Sequence, residues 1–529
     1  MYRHFLSVGG LTLLSRATGF VRDVVLGAML GAGALADAFF VAFRLPNHFR
    51  TIFGEGAFNS AYVPSYARVL ETEGSEEAKS FSSQIFTILL LSQIVLLALA
   101  LLFTPELVRL LAHGFENDPA KFDTAVFLTR ITFPYLLCVT LVTLHSGTLN
   151  ANRLFAAAAF NPVILNVVMI GFLGVAFLFP NAGIASAVGV TVSGIIQLGS
   201  MIVAARRHSL LERPVWPRWT PDVRQFFRAL GPAVIGSAGV QIAIFADTLI
   251  ASLLPTGGLS SIYYADRIYQ LPIGVIGIAA GTVLLPEMTR LFAQGQSGSA
   301  LNAQNRTFAL TLALSAPFFV AFILIPGPIM RGVFLRGHFT AEAAQASADV
   351  LAAYGFGLLP VVLIRSAVAS FQARGDTRIP MIASLAAVGC NLGLKLLLYK
   401  PFGAAGLAAA TAAGAWINLL ILSGLALRDG SMRFDDTLVK VAVAVDVAAT
   451  VLGGTALLLG GPIHAAVQHL RFANETEVFL LVLLGSMIYG LALFGSLRVA
   501  GLRNGVLVKR RAAPRPLPGT GTLAADGPT

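Results

Sequence analysis

The sequence predicts an all-α polytopic membrane protein of about 14 transmembrane helices, built as two pseudo-symmetric six-helix lobes around a central cavity, with two further C-terminal helices. Three observations predict it. The 529 residues are 56% hydrophobic and 12% charged, with a mean hydropathy of +0.77, whereas a soluble domain carries roughly 25% charge. Apolar runs of about 20 residues, enough to cross ~30 Å of hydrocarbon, recur along almost the whole chain. Six short motifs also recur in order at a nearly constant offset.

Taken in order, the spans start near residues 6, 35, 81, 123, 160, 183, 223, 262, 305, 343, 378, 404, 438 and 477. The first run opens with Arg3, as a secretory signal would, but it is long, lacks a small-residue cleavage site and is followed at once by another span, so it is expected to be retained. With the N-terminus inside, the segments between spans put 23 of the 37 Lys and Arg on the cytoplasmic side and 6 outside, with 8 in the spans. The positive-inside bias therefore predicts cytoplasmic N- and C-termini, with AARRHSLLERPVWPRWTPDVR (204–224) as its strongest single indicator. The same bias accounts for the net charge of +11, so no nucleic-acid partner is expected. Cys138 and Cys390 both lie in apolar runs and are expected in the core, which suggests neither a disulfide framework nor a thiolate metal site. Neither a G-x-x-x-x-G-K-[ST] loop nor an H-E-x-x-H motif occurs. No cofactor, resident metal or enzymatic centre is expected, and energy would come from an ion gradient, the membrane potential or substrate removal.

The repeat organises the chain. Asp23 matches Asp247 (offset 224), AFR ending at Arg44 matches ADR ending at Arg267 (223), and Pro64 of VPSYAR matches Pro286 of LPEMTR (222). Pro134 matches Pro360 (226), Asn166 matches Asn391 (225), and Gly183 matches Gly406 (223). Each unit holds six spans, an even number, so both copies insert the same way and relate by an axis along the membrane normal. The expected division is an N-terminal lobe over 1–220, a second lobe over 221–430, spans 13 and 14 over 431–505, and a Pro/Gly-rich disordered cytoplasmic tail over 506–529.

Charges inside the spans point to the chemistry. Arg16, Arg22, Arg44, Arg50, Arg130, Arg267, Arg365 and Lys395 are the intramembrane basic residues, four of them in the first two spans. Each costs about 2.5–3.5 kcal/mol at a helix centre unless it faces water, a partner or a ligand. Residues seven apart lie about 20° apart around a helix, so Arg16 shares a stripe with Asp23 and Asp37 with Arg44, consistent with pairing inside each couple. Arg22 lies about 120° from Arg16 and reaches a common point only through long side chains or a bend near Gly19; a bend in the second span is expected at Pro46. Planar guanidiniums that never deprotonate match phosphate oxygens, so the array predicts an anionic cargo, phosphate or pyrophosphate. Asp23, Asp37, Glu55 and Asp266 would hold that array in place.

LLSRATGFVRD, ADAFFVAFRLPN, FRTIFGEGAFNSAYVP and YYADRIYQLPIGVIGIAAGTVLLP resemble the MurJ (MviN) family, the lipid II flippases of bacterial cell-wall synthesis within the multidrug/oligosaccharidyl-lipid/polysaccharide exporter superfamily. The span pattern extends the resemblance over roughly residues 1–505. It implies a V-shaped bundle in the inner membrane that moves lipid II, the polyprenyl-pyrophosphate-linked disaccharide-pentapeptide, from the cytoplasmic to the periplasmic face by alternating access. The implied partners are lipid II, membrane lipid and cell-wall synthesis proteins. Arg16, Arg22, Arg50 and Arg267 match the family's cationic cavity, Arg44 matches a position that is basic in relatives, and Asp37 and Glu55 match motif acids. Spans 13 and 14 resemble the pair that forms a groove for the polyprenyl tail.

Two departures matter. Gln270 stands where some relatives carry an acid three residues after the YADR arginine. Some members also bind sodium; Asp247, Asn391 and Thr411 match that ligand set, but Lys395 replaces its second acid, so an internal Asp247–Lys395 pair is expected instead. The alternatives are an exporter of another polyprenyl-linked glycan or of drugs, an intramembrane enzyme acting on polyprenyl phosphates, and a non-transporting scaffold. An Arg-rich cavity argues against cationic drugs, the alternation of acids with Arg argues against a metal-dependent enzyme, and the cost of buried charge argues against a scaffold.

Overall fold

The structure, a computed structural model, describes residues 2–50 and 57–502, with side chains placed for all of these except residues 2–8, 48–50, 57, 236–242, 278–279 and 282. Among the described residues the regular structure is entirely helical. The first half runs α1 (Tyr2–Leu30), α2 (Ala34–Arg50), α3 (Ala57–Thr72), α4 (Ser75–Leu102), α5 (Thr104–Leu111), α6 (Pro119–Thr132), α7 (Pro134–Ala151), α8 (Phe155–Gly174) and α9 (Ala182–Arg207). The second runs α10 (Pro221–Ser252), α11 (Gly258–Pro272), a π-helical turn (Ile273–Gly277), α12 (Ile278–Ala293), α13 (Ser297–Leu324), α14 (Pro326–Phe334), α15 (Ala341–Gln372) and α16 (Arg378–Arg428). It closes with α17 (Asp436–Val467) and α18 (Ala473–Val499).

Side-chain caps set several of these boundaries. Asn181, Thr220, Thr340 and Asp435 each accept a hydrogen bond from the amide three residues on, satisfying one of the free donors of a helix start. The expected span starts fall at these helix starts or a few residues inside them, because the capping turn is polar and the apolar run begins after it. Nine described stretches are long and apolar enough to cross a membrane by length and composition. The remaining expected crossings fall on α1, α2, α10 and α11 with α12, and on the second part of α16, two helices meeting at Gly403 (φ 56°).

The repeat is visible in the order of the elements. α2 followed by α3 corresponds to α11 followed by α12, with Pro64 inside α3 and Pro286 inside α12. Neither Gly19 nor Pro46 ends its helix: α1 continues past Gly19 to Leu30, and α2 continues through Pro46 to Arg50. Cys138 is buried, but Cys390 is exposed on α16, so its place in an apolar run reflects an outward-facing helix surface rather than a core position. Glu55, the side chain of Arg50 and the tail 506–529 lie outside the described residues.

Helices of the first half pack mainly on one another, α1 on α8, α2 on α6 and α7 on α9, and those of the second half do likewise through α15. α17 and α18 pack on α13 and α14. The buried carboxylate of Glu477 at the start of α18 fixes that pair, 2.9 Å from His464 Nδ1 and 3.8 Å from Arg331 Nη2 of α14. The halves meet where α1 and α2 touch α11 and where α3 touches α10.

The side of the bundle on which α1 ends is sealed by polar contacts between the halves. Asp37 of α2 is fully buried and accepts from the Gly257 and Ser260 amides at the start of α11, both at 2.9 Å, and from Lys121 Nζ at 2.7 Å. The Tyr264 hydroxyl donates to the Gly31 carbonyl (3.0 Å), and the His338 amide to the Ala28 carbonyl (2.7 Å). Asp37 therefore does not pair with Arg44. Sharing a helix stripe left it free to face another partner, and the amides at a helix start are natural ligands for a carboxylate.

Candidate functional site

Between the halves lies a cavity of about 1100 Å³, walled by α1, α7, α8, α11, the π-helical turn and α15. Among the described residues its charged lining is four guanidiniums, Arg16, Arg22, Arg267 and Arg365, against one carboxylate, Asp23. Asn59, Asn150, Asn161, Asn166 and Gln197 add a wall of side-chain amides from the first half.

Asp23 organises the centre. Its Oδ1 accepts from Arg22 Nε (3.0 Å) and Nη2 (2.7 Å) and from the Tyr263 hydroxyl of α11 (3.0 Å). Arg22 Nη1 donates to Asn166 Oδ1 (2.9 Å), and Asn166 Nδ2 returns to the Ser15 carbonyl (3.0 Å), binding α8 to α1. Arg267 stacks on Tyr263, its Cζ 4.5 Å from the ring centroid, with its Nε 3.7 Å from Asp23 Oδ2. That Nε is buried and has no acceptor within hydrogen-bond reach, leaving a directed donor without a protein partner. The expected Arg16 and Asp23 couple does not form, because Asp23 is taken by the neighbouring Arg22 and by the other half of the chain.

Arg16 and Arg365 behave differently. Neither has a carboxylate partner among the described residues. Arg16, from the first half, lies against Gly274 of the π-helical turn, and Arg365, from α15, lies against Gly277 and Gly281. The two guanidiniums thus flank one stretch of backbone from opposite halves of the chain. An intramembrane arginine that lacks an internal counter-charge needs water or an anion.

The other sequence candidates sit elsewhere. Arg44 is partly buried and donates to Thr248 Oγ1 (3.3 Å) rather than lining the cavity. Asp266 accepts from Gln270 Nε2 and stands 4.0 Å from Arg267 Nη2, and Gln270 reaches the cavity. Two lining residues that matter here, Arg365 and Asn166, had no role assigned from the sequence, nor had Tyr263, which supports Asp23 and Arg267 from behind the lining. The insertion-cost argument that singled out Arg16 applies equally to Arg365, and Asn166 was visible as a repeat position; Tyr263 carried no signal beyond adjoining the ADR segment.

Lys395 Nζ lies 2.6 Å from Asp247 Oδ1, as an ion pair between α16 and α10. Thr411 Oγ1 donates to the Leu407 carbonyl (3.0 Å), and Asn391 Oδ1 is buried without a partner. These residues do not fit a sodium ion: the carboxylate is already neutralised by a fixed ammonium, which stands where a second acid would be needed.

The family described as Lipid II flippase MurJ matches residues 26–472. The chain belongs to the MurJ family. Among curated relatives within it, a probable lipid II flippase MurJ of Rhizobium meliloti (strain 1021) is 42% identical over 428 residues, covering 80% of both chains. One of Rhizobium tropici is 35% identical over 536 residues, covering 100% of this chain and 99% of the relative. A solved lipid II flippase MurJ in an inward closed conformation shares the fold, with a TM-score of 0.77 at 23% identity over 93% of this chain and 99% of its own. An inward-facing multidrug resistance MATE family transporter of the MOP superfamily follows at 0.64, with 14% identity over 79% of this chain and 95% of its own. In this chain the arginine-bearing segments of α1 and α11 meet at Asp23.

Proposed function

We propose that this MurJ family member moves lipid II from the cytoplasmic to the periplasmic leaflet of a bacterial inner membrane by alternating access, binding the pyrophosphate in the cavity between its halves. One observation carries the reading: among the described residues four guanidiniums face one carboxylate in a space large enough for a polar headgroup, and two of them, Arg16 and Arg365, have no carboxylate partner. Arg22 and Arg267 are held in place by Asp23 and supply a rigid flank with an unfilled donor at Arg267 Nε. The amide wall offers donors and acceptors suited to sugar hydroxyls and peptide groups.

The excess of Lys and Arg between spans orients the N-terminus inward. The Asp37 contacts then close the periplasmic side, and opening there requires Asp37 to leave the amides of α11. The lipid tail has a candidate path at an apolar hollow of about 180 Å³ between α13, α17 and α18, lined by Phe318, Leu452, Leu459, Leu481 and Val482. The sign of the cavity is opposite to what a cationic drug requires, which favours lipid II over a drug cargo.

The test is translocation of fluorescent lipid II in proteoliposomes. Wild type should move it; Arg16→Ala and Arg365→Ala should each bind it more weakly and transport it more slowly while remaining folded. Full transport by the Arg16→Ala/Arg365→Ala double variant would overturn the assignment.

A further inference from the structure

The segment joining the two halves, residues 208–220, contains no helix, yet it is firmly placed. Glu212 is buried: its Oε1 accepts from Ser82 Oγ (2.9 Å) and Thr148 Oγ1 (2.6 Å), and its Oε2 lies 2.6 Å from His145 Nδ1. The Arg213 amide donates to Ser83 Oγ (3.2 Å) and the Val215 amide to Thr87 Oγ1 (3.0 Å), both on α4.

These bonds fix the depth of the linker. α4 opens with the polar stretch SEEAKSFSSQ and becomes apolar from Ile85 onward, IFTILLLSQIVLLALALL. At 1.5 Å per residue, Ser83 and Thr87 lie roughly 12 and 18 Å along the helix, bracketing that change. The linker therefore lies at the level where a membrane passes from headgroups to acyl chains. At that level Trp216 is 88% exposed and Trp219 59% exposed, the latter stacked on Phe227 at 5.2 Å. Amphipathic indoles concentrate at this boundary in membranes.

Charge is sorted in the same segment. Its one acid, Glu212, points inward, while Arg213 and Arg218 are exposed with no carboxylate partner among the described residues. Exposed Arg206 and Arg207 end α9, and exposed Arg224 and Arg228 begin α10. The nearest acid of α10, Asp222, is occupied by Arg68 at 2.6 Å. A basic rim around two indoles at headgroup depth matches one ligand chemistry.

We infer that the linker is a binding site for anionic phospholipid headgroups of the leaflet on its side, the cytoplasmic one in the orientation proposed above, with Trp216 and Trp219 at the acyl boundary and Arg213 and Arg218 against phosphate. The site is separate from the central cavity and stands whether or not the cargo is lipid II.

Trp416→Phe leaves Trp216 and Trp219 as the tryptophans of the full chain. This variant is placed in nanodiscs of phosphatidylcholine and phosphatidylglycerol, with bromine carried high on the acyl chains of one lipid or the other at equal mole fraction. Brominated phosphatidylglycerol should quench indole fluorescence several-fold more than brominated phosphatidylcholine. Adding Arg213→Gln and Arg218→Gln should remove most of that preference, with lipid II binding unchanged. Absence of quenching by either lipid would place the indoles in water or under protein and overturn the site. Equal quenching by both lipids, or a preference that survives the double substitution, would overturn its anion selectivity.

Discussion

The guanidinium of Arg16 packs so tightly against Gly274 that a Cβ built on the glycine would stand 1.9 Å from Arg16 Nη1. Arg16 belongs to α1 and Gly274 to the π-helical turn after α11, so a missing side chain in one half makes room for a charge from the other. Gly274→Ala should leave the fold intact, because the displaced atom is the tip of a flexible side chain. It should weaken lipid II binding roughly tenfold, the loss of one charge-assisted contact of about 1.5 kcal/mol. The check is lipid II titration beside a thermal melt; unchanged affinity would show that Arg16 does not act from this position.

Asp23 holds Arg22, Tyr263 and the approach of Arg267 together. Asp23→Asn should destabilise the detergent-solubilised protein by about 3 kcal/mol, since it leaves the buried Arg22 guanidinium without its carboxylate. Tyr263→Phe should cost about 1 kcal/mol, losing the hydroxyl bond and keeping the ring beneath Arg267. Thermal unfolding of both variants and their double mutant measures the coupling.

The Asp247–Lys395 pair is unequal in exposure: the Lys395 side chain is 5% exposed and that of Asp247 40%. Removing each partner should therefore cost differently. Asp247→Asn strands a buried ammonium and should cost about 3 kcal/mol, whereas Lys395→Met leaves a half-solvated carboxylate and should cost about 1 kcal/mol. The double variant should recover part of the loss. Exchanging sodium for choline in the buffer should leave the wild-type melting temperature unmoved; a sodium-dependent rise would contradict the occupied-site reading.

Glu212 lies in the linker outside the helices. Burial raises its pKa, but hydrogen bonds and charge from His145 and the bond from Thr148 outweigh this and hold it below its ordinary value of 4.5. A carboxylate with a lowered folded pKa contributes stability that is complete above the unfolded value and is lost as pH falls through the folded one. Glu212→Gln should thus lower stability by about 2 kcal/mol at neutral pH, and its gap to wild type should close below pH 4.5. Melts across that range test the sign; a gap that widens in acid would refute it.

The helical plan was legible because transfer of apolar side chains to lipid is a local property, summed along one segment at a time. The charged candidates were legible for the same reason, since an arginine in an apolar run is costly wherever its partner stands. Pairing was not legible. Asp37 shares a stripe with Arg44 and Arg16 with Asp23, yet Asp37 faces the α11 amides and Asp23 faces Arg22 and Tyr263. Helix stripes give angles about one axis and carry no information on which neighbour lies across it.

The repeat gains meaning in the structure. Asp23 and Asn166 correspond in sequence to Asp247 and Asn391. In the first half the base beside that acid, Arg22, comes from the acid's own helix and bonds Asn166. In the second half the base is Lys395, one turn after Asn391 on the asparagine's helix. Equivalent places keep an acid and a base while supplying the base from different helices.

By itself, then, the sequence determined a multi-span helical membrane protein, its duplication, its inward-biased basic loops and an arginine-rich interior, all consequences of composition and spacing along one chain. Only the tertiary structure decided which cavity arginines are spent on Asp23 and which two of them have no carboxylate partner among the described residues, that Asp37 seals one side of the bundle, and that the linker turns its acid inward and its indoles outward. Those outcomes depend on contacts between helices more than a hundred residues apart, where the energy of a charge is set by what faces it.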